Sequence, residues 1–188
     1  MRTLTVIHAS PSLLTAGGFT TVELLVSIAV LGVLTAIAVP NLIPLVESWR
    51  VMQTTNHLHD TLSFARSEAI KRGGQVVIQK ISASNCPTGT RDWDCGWIVC
   101  HDANGNGSCN TTDPVLQRID APAKVQVTRT GGGASIKFNR WGLVDGTWLG
   151  FSLIPLDKST NHPGARGLCM SSGGRIRILP PQDIPCTG

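Results

Sequence analysis

"GGFTTVELLVSIAVLGVLTAIAVPNL", Gly17 to Leu42, decides the architecture of the chain. Between Val22 and Val39 only Glu23, Ser27 and Thr35 are polar. At about 1.5 Å per helical residue, that run is as long as one bilayer crossing. The residues ahead of it, Met1 to Gly18, are Ser/Thr-rich and carry only Arg2 as a fixed charge. A secretory signal peptide places its small-residue cleavage site after the apolar run, whereas the small pair Gly17-Gly18 precedes this one. Processing at that pair keeps the apolar segment in the mature protein. A lone carboxylate in lipid is costly and normally has a partner. If cleavage frees the amine of Phe19, Glu23 stands one helical turn away, where i and i+4 groups face each other. The amine it pairs with can be its own or that of a neighbouring subunit.

The run Gly18-Phe19-Thr20-Thr21-Val22-Glu23, with its apolar continuation, resembles the class III signal of type IV pilins and pseudopilins. The resemblance implies cleavage after Gly18 by a prepilin peptidase and N-methylation of Phe19. It implies that Glu23 registers subunits during filament assembly and that the helix kinks near Pro40.

Composition agrees with a membrane-tethered, exported protein. The 188 residues suffice for one long helix and one modest head. All six cysteines (Cys86, Cys95, Cys100, Cys109, Cys169 and Cys186) lie beyond the apolar run, on the side that export would expose. An even number there suggests disulfides. None forms a CxxC pair and no His falls at metal spacing, so a structural zinc site is not expected, nor any other cofactor. Spacing favours short loops such as Cys169–Cys186 but leaves the connectivity open. The net charge of +4 is mild and does not by itself imply a nucleic acid.

A helical pattern continues past the anchor. Leu45, Val46, Trp49, Met52, His59, Leu62, Phe64, Ala65, Ala69 and Ile70 recur at roughly helical spacing. Lys71 and Arg72 followed by Gly73-Gly74 make a stop. One helix is therefore expected from Thr20 to Arg72, loosened at Pro40 and Pro44, with its second half packed on a head. The head reads as strands at Gln75–Ile81, Gly96–Asp102, Val115–Ile119, Lys124–Arg129, Ala134–Asn139, Thr147–Ile154 and Gly174–Leu179. A helix followed by short strands is an α+β fold, an antiparallel sheet packed on the helix. The expected division is 1–18 as leader, 19–46 as transmembrane or filament-core helix, and 47–188 as periplasmic helix plus β-rich head. "FARSEAIKRG" before the first strand and "GWIVCHDANGNG" after it resemble the GspH/FimT branch of pilin-like proteins.

Two stretches invite chemistry and give little. In "DANGNGSCNTTD", Asp102, Asn104, Asn106, Gly107 and Asp113 match the spacing of a calcium loop. Strands flank it instead of helices, its last acid is the short Asp, and Asn-Gly repeats are what a tight turn needs. The turn is the preferred reading. His57, His59, His101 and His162 lack a partner in any nucleophile motif, and no phosphate-binding or dinucleotide fingerprint occurs, so no catalytic residue is expected.

"CMSSGGRIRILPPQDIPC", Cys169 to Cys186, is more informative. Arg175 and Arg177 alternate with Ile176 and Ile178, so on a strand both guanidiniums leave one face. Such a pair suits neighbouring phosphates. Gly173-Gly174 leaves room beside it, and the flanking cysteines can hold the segment rigid. On spacing alone, a charged edge strand explains the same residues. Gly174-Arg175-Ile176-Arg177 resembles the GRxR signature associated with DNA-binding FimT-type minor pilins of transformable bacteria. Arg166, Lys158, Arg140 and Lys137 are candidate helpers. The resemblance implies a minor pilin that assembles with major and minor pilins. It would sit in the inner membrane with its head in the periplasm, then enter an extracellular pilus and bind DNA for uptake in natural transformation. The alternative is a GspH-like pseudopilin, a structural tip component of a type II secretion system.

Overall fold

The computed structural model describes residues 18–83, 86, 91–146 and 148–187, the side chains of Pro40 and Asn41 excepted. The leader ahead of Gly18 and the kink expected at Pro40 lie outside that description. The chain divides between Asn41 and Leu42 into two compact units.

Helix α1 spans Thr21–Arg72. Thr20 caps it, accepting the Leu24 amide on its carbonyl at 3.1 Å and the Glu23 amide on its hydroxyl at 3.2 Å. The cap sets Glu23 in the first turn, where a carboxylate faces the positive end of the helix dipole. In the first unit, Thr21–Val39 is long and apolar enough to cross a membrane, and none of it is buried in protein. Its hydroxyls suit lipid because they bond back to the helix: Ser27 donates to the Glu23 carbonyl at 2.7 Å and Thr35 to that of Leu31 at 2.9 Å.

In the second unit, Val51, Leu58, Leu62, Ala65 and Ala69 are the fully buried apolar stripe of α1, with Thr54, Thr55 and Thr61 beside them. This corrects the expected packing face. Leu45, Val46, Trp49, Met52 and Ile70 stay exposed, Trp49 at 72%. The sequence pattern merged two faces of the helix, because Val51 and Leu58 sit among polar neighbours while the more apolar Leu45–Trp49 stretch faces outward. The helix ends as expected, with the Gly74 amide donating back to the Ala69 carbonyl at 2.7 Å.

Among the described residues the seven expected strands are all present, and an eighth joins them. They are β1 (Val76–Lys80), β2 (Gly96–His101), β3 (Val115–Asp120), β4 (Val125–Thr130), β5 (Ser135–Phe138), β6 (Trp148–Pro155), β7 (Arg166–Ser171) and β8 (Ile176–Leu179). The unforeseen β7, "RGLCMS", has no β-branched or aromatic residue to mark it. The single expected sheet is two antiparallel sheets, ordered β3-β2-β1-β5 and β4-β6-β7-β8. Segment 91–93 joins them, the Trp93 amide donating to the Val127 carbonyl at 2.8 Å.

Two tryptophans anchor the core. Trp93 meets Phe151 edge-on at 5.2 Å, and its indole N–H donates to the Gly133 carbonyl at 3.2 Å. Trp97 donates to the Thr61 hydroxyl of α1 at 3.1 Å. Arg129 lies 5.9 Å over the Trp93 ring, and burial there pulls its guanidinium below its ordinary pKa. Gly96 opens β2 at φ +86°, and a Cβ there would strike the Ile119 carbonyl and sit 2.7 Å from the Asp120 carbonyl carbon. Both atoms are backbone at the end of β3 and cannot swing aside. Gly96→Val is therefore expected to abolish the cooperative near-ultraviolet circular dichroism melt of the full chain in detergent. A wild-type melt would refute that account of the β2–β3 junction.

All six cysteines are paired, as Cys86–Cys95, Cys100–Cys109 and Cys169–Cys186. Each bridge closes a short loop, of sequence separation 9, 9 and 17. Non-reducing alkylation of the native protein is expected to find no free thiol, and four or more labelled cysteines would contradict the pairing. The double change Cys169→Ser and Cys186→Ser is expected to loosen the tail after β8 while most of the two sheets persists.

Candidate nucleic-acid interface

The hairpin β7–β8 builds the site, and the register of its sheet says which side chains share a face. Leu149, Phe151 and Leu153 of β6 pair with Met170, Leu168 and Arg166 of β7, and Met170 and Leu168 pair with Ile176 and Ile178 of β8. Most of these are buried, so this is the core face. Ile178 faces the same way, and the edge position of β8 leaves it 41% exposed. The alternate rows form the outer face. Trp148 pairs with Ser171, and Gly150 with Cys169 and then Arg177. The Ser171 amide donates to the Arg175 carbonyl at 3.0 Å, which puts Arg175 in the Trp148 row.

Arg175 lies just before the strand that holds Arg177, and the expected alternation holds across that junction. Both arginines are exposed. Neither guanidinium has an ion-pair or hydrogen-bond partner among the described residues. Together they line a cavity of about 480 Å³ on the outer face, with Trp148, Ser171, Ser172, Cys186 and Thr187. The tail that closes it is held by Cys169–Cys186, whose Cα atoms are 5.8 Å apart. Gly150 makes room for the bridge, since a Cβ there would come within 2.7 Å of Cys186 Cβ.

Gly174 has a different role from the one its missing side chain suggests. It is buried, not an open shelf for a polyanion. At φ +82° it turns the chain, its carbonyl accepts Arg66 Nη1 of α1 at 2.8 Å, and a Cβ there would strike that guanidinium. Nothing local in the sequence points to Arg66, because it lies 108 residues from its partner. Its stem meets a second turn, where a Cβ on Gly142 would come 2.6 Å from Arg66 Cγ. Exposed Arg140 and Trp141 sit on that turn, so one helix side chain separates them from the Arg175 turn.

Three helpers belong elsewhere. Arg166 pairs with Leu153, which puts it on the core face at the far end of β7 from Ser171. Its Nη1 donates to the carbonyls of Pro163 and Ala165 at 2.9 and 2.6 Å. Lys158 lies in the turn after β6, at that same far end. Lys137 is on β5, in the other sheet.

The Asp102–Asp113 loop is built by its own amides. Asp102 accepts the amides of Asn106 at 3.1 Å and Gly107 at 2.6 Å, and Asp113 those of Ala103 at 3.2 Å and Asn110 at 3.0 Å. Asn104 and Asn106 accept the amides of Asn106 and Ser108 at 3.0 and 2.8 Å. These contacts account for the oxygens that a calcium loop would use, and the segment is a stack of Asx turns. Of the histidines, His162 contacts Glu47 of α1 at 3.2 Å and His59 contacts Asp60 at 3.2 Å. No group of three His, Cys, Asp or Glu converges among the described residues.

An apolar N-terminal helix that runs on into a long helix packed on antiparallel sheets is the pilin fold. A family model described as type II transport protein GspH matches residues 54–174, and the chain belongs to that family. Two crystal structures of the type IV minor pilin FimU of Pseudomonas aeruginosa share the fold. One aligns with TM-score 0.57 at 22% identity, covering 72% of this chain and 92% of FimU. The other gives 0.55 at 21%, covering 71% and 96%. The minor pseudopilin EpsH of Vibrio cholerae aligns with TM-score 0.47 at 14% identity, over 70% of this chain and 98% of EpsH. No curated protein matches in sequence. The family is one of structural pilins, and membership implies assembly with other pilins. Its matched region stops at Gly174, so Arg175, Arg177 and the bridged tail lie beyond it.

Proposed function

We propose that this chain is a FimT-type minor pilin that captures DNA for uptake. In this reading a prepilin peptidase removes residues 1–18 after Gly18 and methylates Phe19. Segment 19–46 anchors the protein in the inner membrane and later in the filament core, and 47–188 stands in the periplasm until assembly into an extracellular pilus. The observation that carries the reading is the pair of exposed guanidiniums of Arg175 and Arg177, unpartnered among the described residues and lining one disulfide-bounded recess. Phosphate contacts of this kind carry no base information, so binding is indifferent to sequence. The test is DNA binding by the full chain in detergent, with and without both arginines. The family description favours a second reading, a structural pseudopilin of type II secretion. Absence of DNA binding by the wild-type chain would decide for that second function, and intact affinity without the arginines would take the DNA site away from this hairpin.

A further inference from the structure

Two of the core tryptophans place their indole N–H on a protein acceptor, and Trp148 does not. Among the described residues its ring nitrogen has no hydrogen-bond partner. The side chain is 36% exposed and lines the cavity of about 480 Å³ together with Arg175 and Arg177. Resting on the DNA-binding reading, we propose that this recess holds an unpaired base stacked on Trp148 while the two arginines take the adjoining phosphates. The site then grips single-stranded DNA more tightly than duplex.

The geometry supports each part. A Cβ on Gly150 would meet Trp148 Cζ3 at 3.0 Å and Cys186 Sγ at 2.8 Å, so the indole edge and the disulfide converge on one spot. The bridge fixes that side of the ring and leaves the rest of the side chain to the recess. Arg175 lies in the Trp148 row and Arg177 one row further, about 7 Å along the strand at ~3.3 Å per residue. Base, phosphate and next phosphate therefore meet aromatic, cation and cation in that order. The cavity falls inside the roughly 300–1,000 Å³ range of small-ligand clefts. Hydroxyls of Ser171, Ser172 and Thr187 on its wall can meet any base edge without imposing a code. A second recess, of about 470 Å³, shares Arg177 and is lined by Asp183, whose carboxylate would repel phosphates on that side. A duplex hides its base faces and offers this site phosphates alone. A single strand offers both, the combination that sequence-tolerant single-strand binders use.

The test measures fluorescence anisotropy with the full chain in non-ionic detergent. The probes are an oligothymidylate, an abasic strand of the same length and a duplex. Wild-type protein is expected to bind the oligothymidylate most tightly and the abasic strand no better than the duplex. Trp148→Leu keeps an apolar side chain against Cys186. It should weaken oligothymidylate binding about 5- to 150-fold, the range of one stacked base, and weaken duplex binding markedly less. Trp148→Phe should restore most of the loss, which a general loosening of the tail would not allow. Equal effects of Trp148→Leu on single strand and duplex, or no effect on either, would overturn the stacking role even while the arginines still govern duplex binding. If wild-type protein binds none of the three probes, the DNA-binding reading falls and the proposal with it.

Discussion

Replacing Arg175 and Arg177 together by Gln is expected to remove most duplex binding and to flatten its salt dependence. Each phosphate neutralised on B-DNA contributes about 0.9 to the log–log salt slope, so losing two contacts lowers the slope by about 1.8. Wild-type affinity should itself be weak, within the roughly 10⁻⁴–10⁻⁶ M range of non-specific binding. Both side chains are exposed and unpartnered among the described residues, so the double change should leave the thermal melt unmoved. Arg66 gives a contrasting control, because its guanidinium holds the Gly174 carbonyl at 2.8 Å. Arg66→Ala should weaken DNA binding and lower the melt together, by freeing the turn that aims Arg175. In cells the double Gln variant should cut transformation while filaments stay normal in number. A titration with unchanged slope and affinity would return the hairpin to an ordinary charged edge strand.

Residues differ in how far the sequence alone reveals their place. The helix and seven strands follow from local pattern, since apolar helical spacing, a Gly-Gly stop and β-branched alternation each act within a few residues. β7 was invisible because Gly167, Cys169 and Met170 carry no strand preference; β6 and β8 supply it from either side. The division into two sheets was equally hidden, since strand order depends on long-range pairing such as β1 with β5. At the candidate site, spacing set the face that Arg175 and Arg177 share, and only the likeness of Gly174–Arg177 to the GRxR signature singled the pair out from a charged edge strand. Arg66 and Trp148 could not be found, because each reaches the site through a contact that crosses the chain. Arg166 shows the reverse error. Its charge suggested a helper, and one register pair with Leu153 puts it on the wrong face. The apolar Leu45–Trp49 stretch misled for a related reason, since apolar residues also occur on faces meant for lipid or for neighbouring subunits.

Glu23→Val is expected to leave leader removal possible and to prevent incorporation into filaments, whereas Gly18→Val should block removal itself. The reason lies at the helix end. Thr20 already satisfies the Glu23 amide, so the Glu23 carboxylate is not needed as the cap and is free to serve another group. Cleavage after Gly18 would create a positive amine on Phe19, beside a helix terminus that is already positive. In lipid or in a filament core that charge has no water to stabilise it, and a carboxylate one turn away offsets it. Val removes the offset, and Gln separates the two causes. Glu23→Gln keeps side-chain shape and hydrogen-bonding capacity but loses the charge, so a charge-pairing role predicts that Gln fails as Val does. Mass spectrometry of the membrane fraction should find Met1–Gly18 retained only in Gly18→Val. Immunoblots of sheared filaments should lack all three variants. Normal amounts of Glu23→Gln in those filaments would mean that the carboxylate acts through shape, and that the amine finds its counter-charge elsewhere.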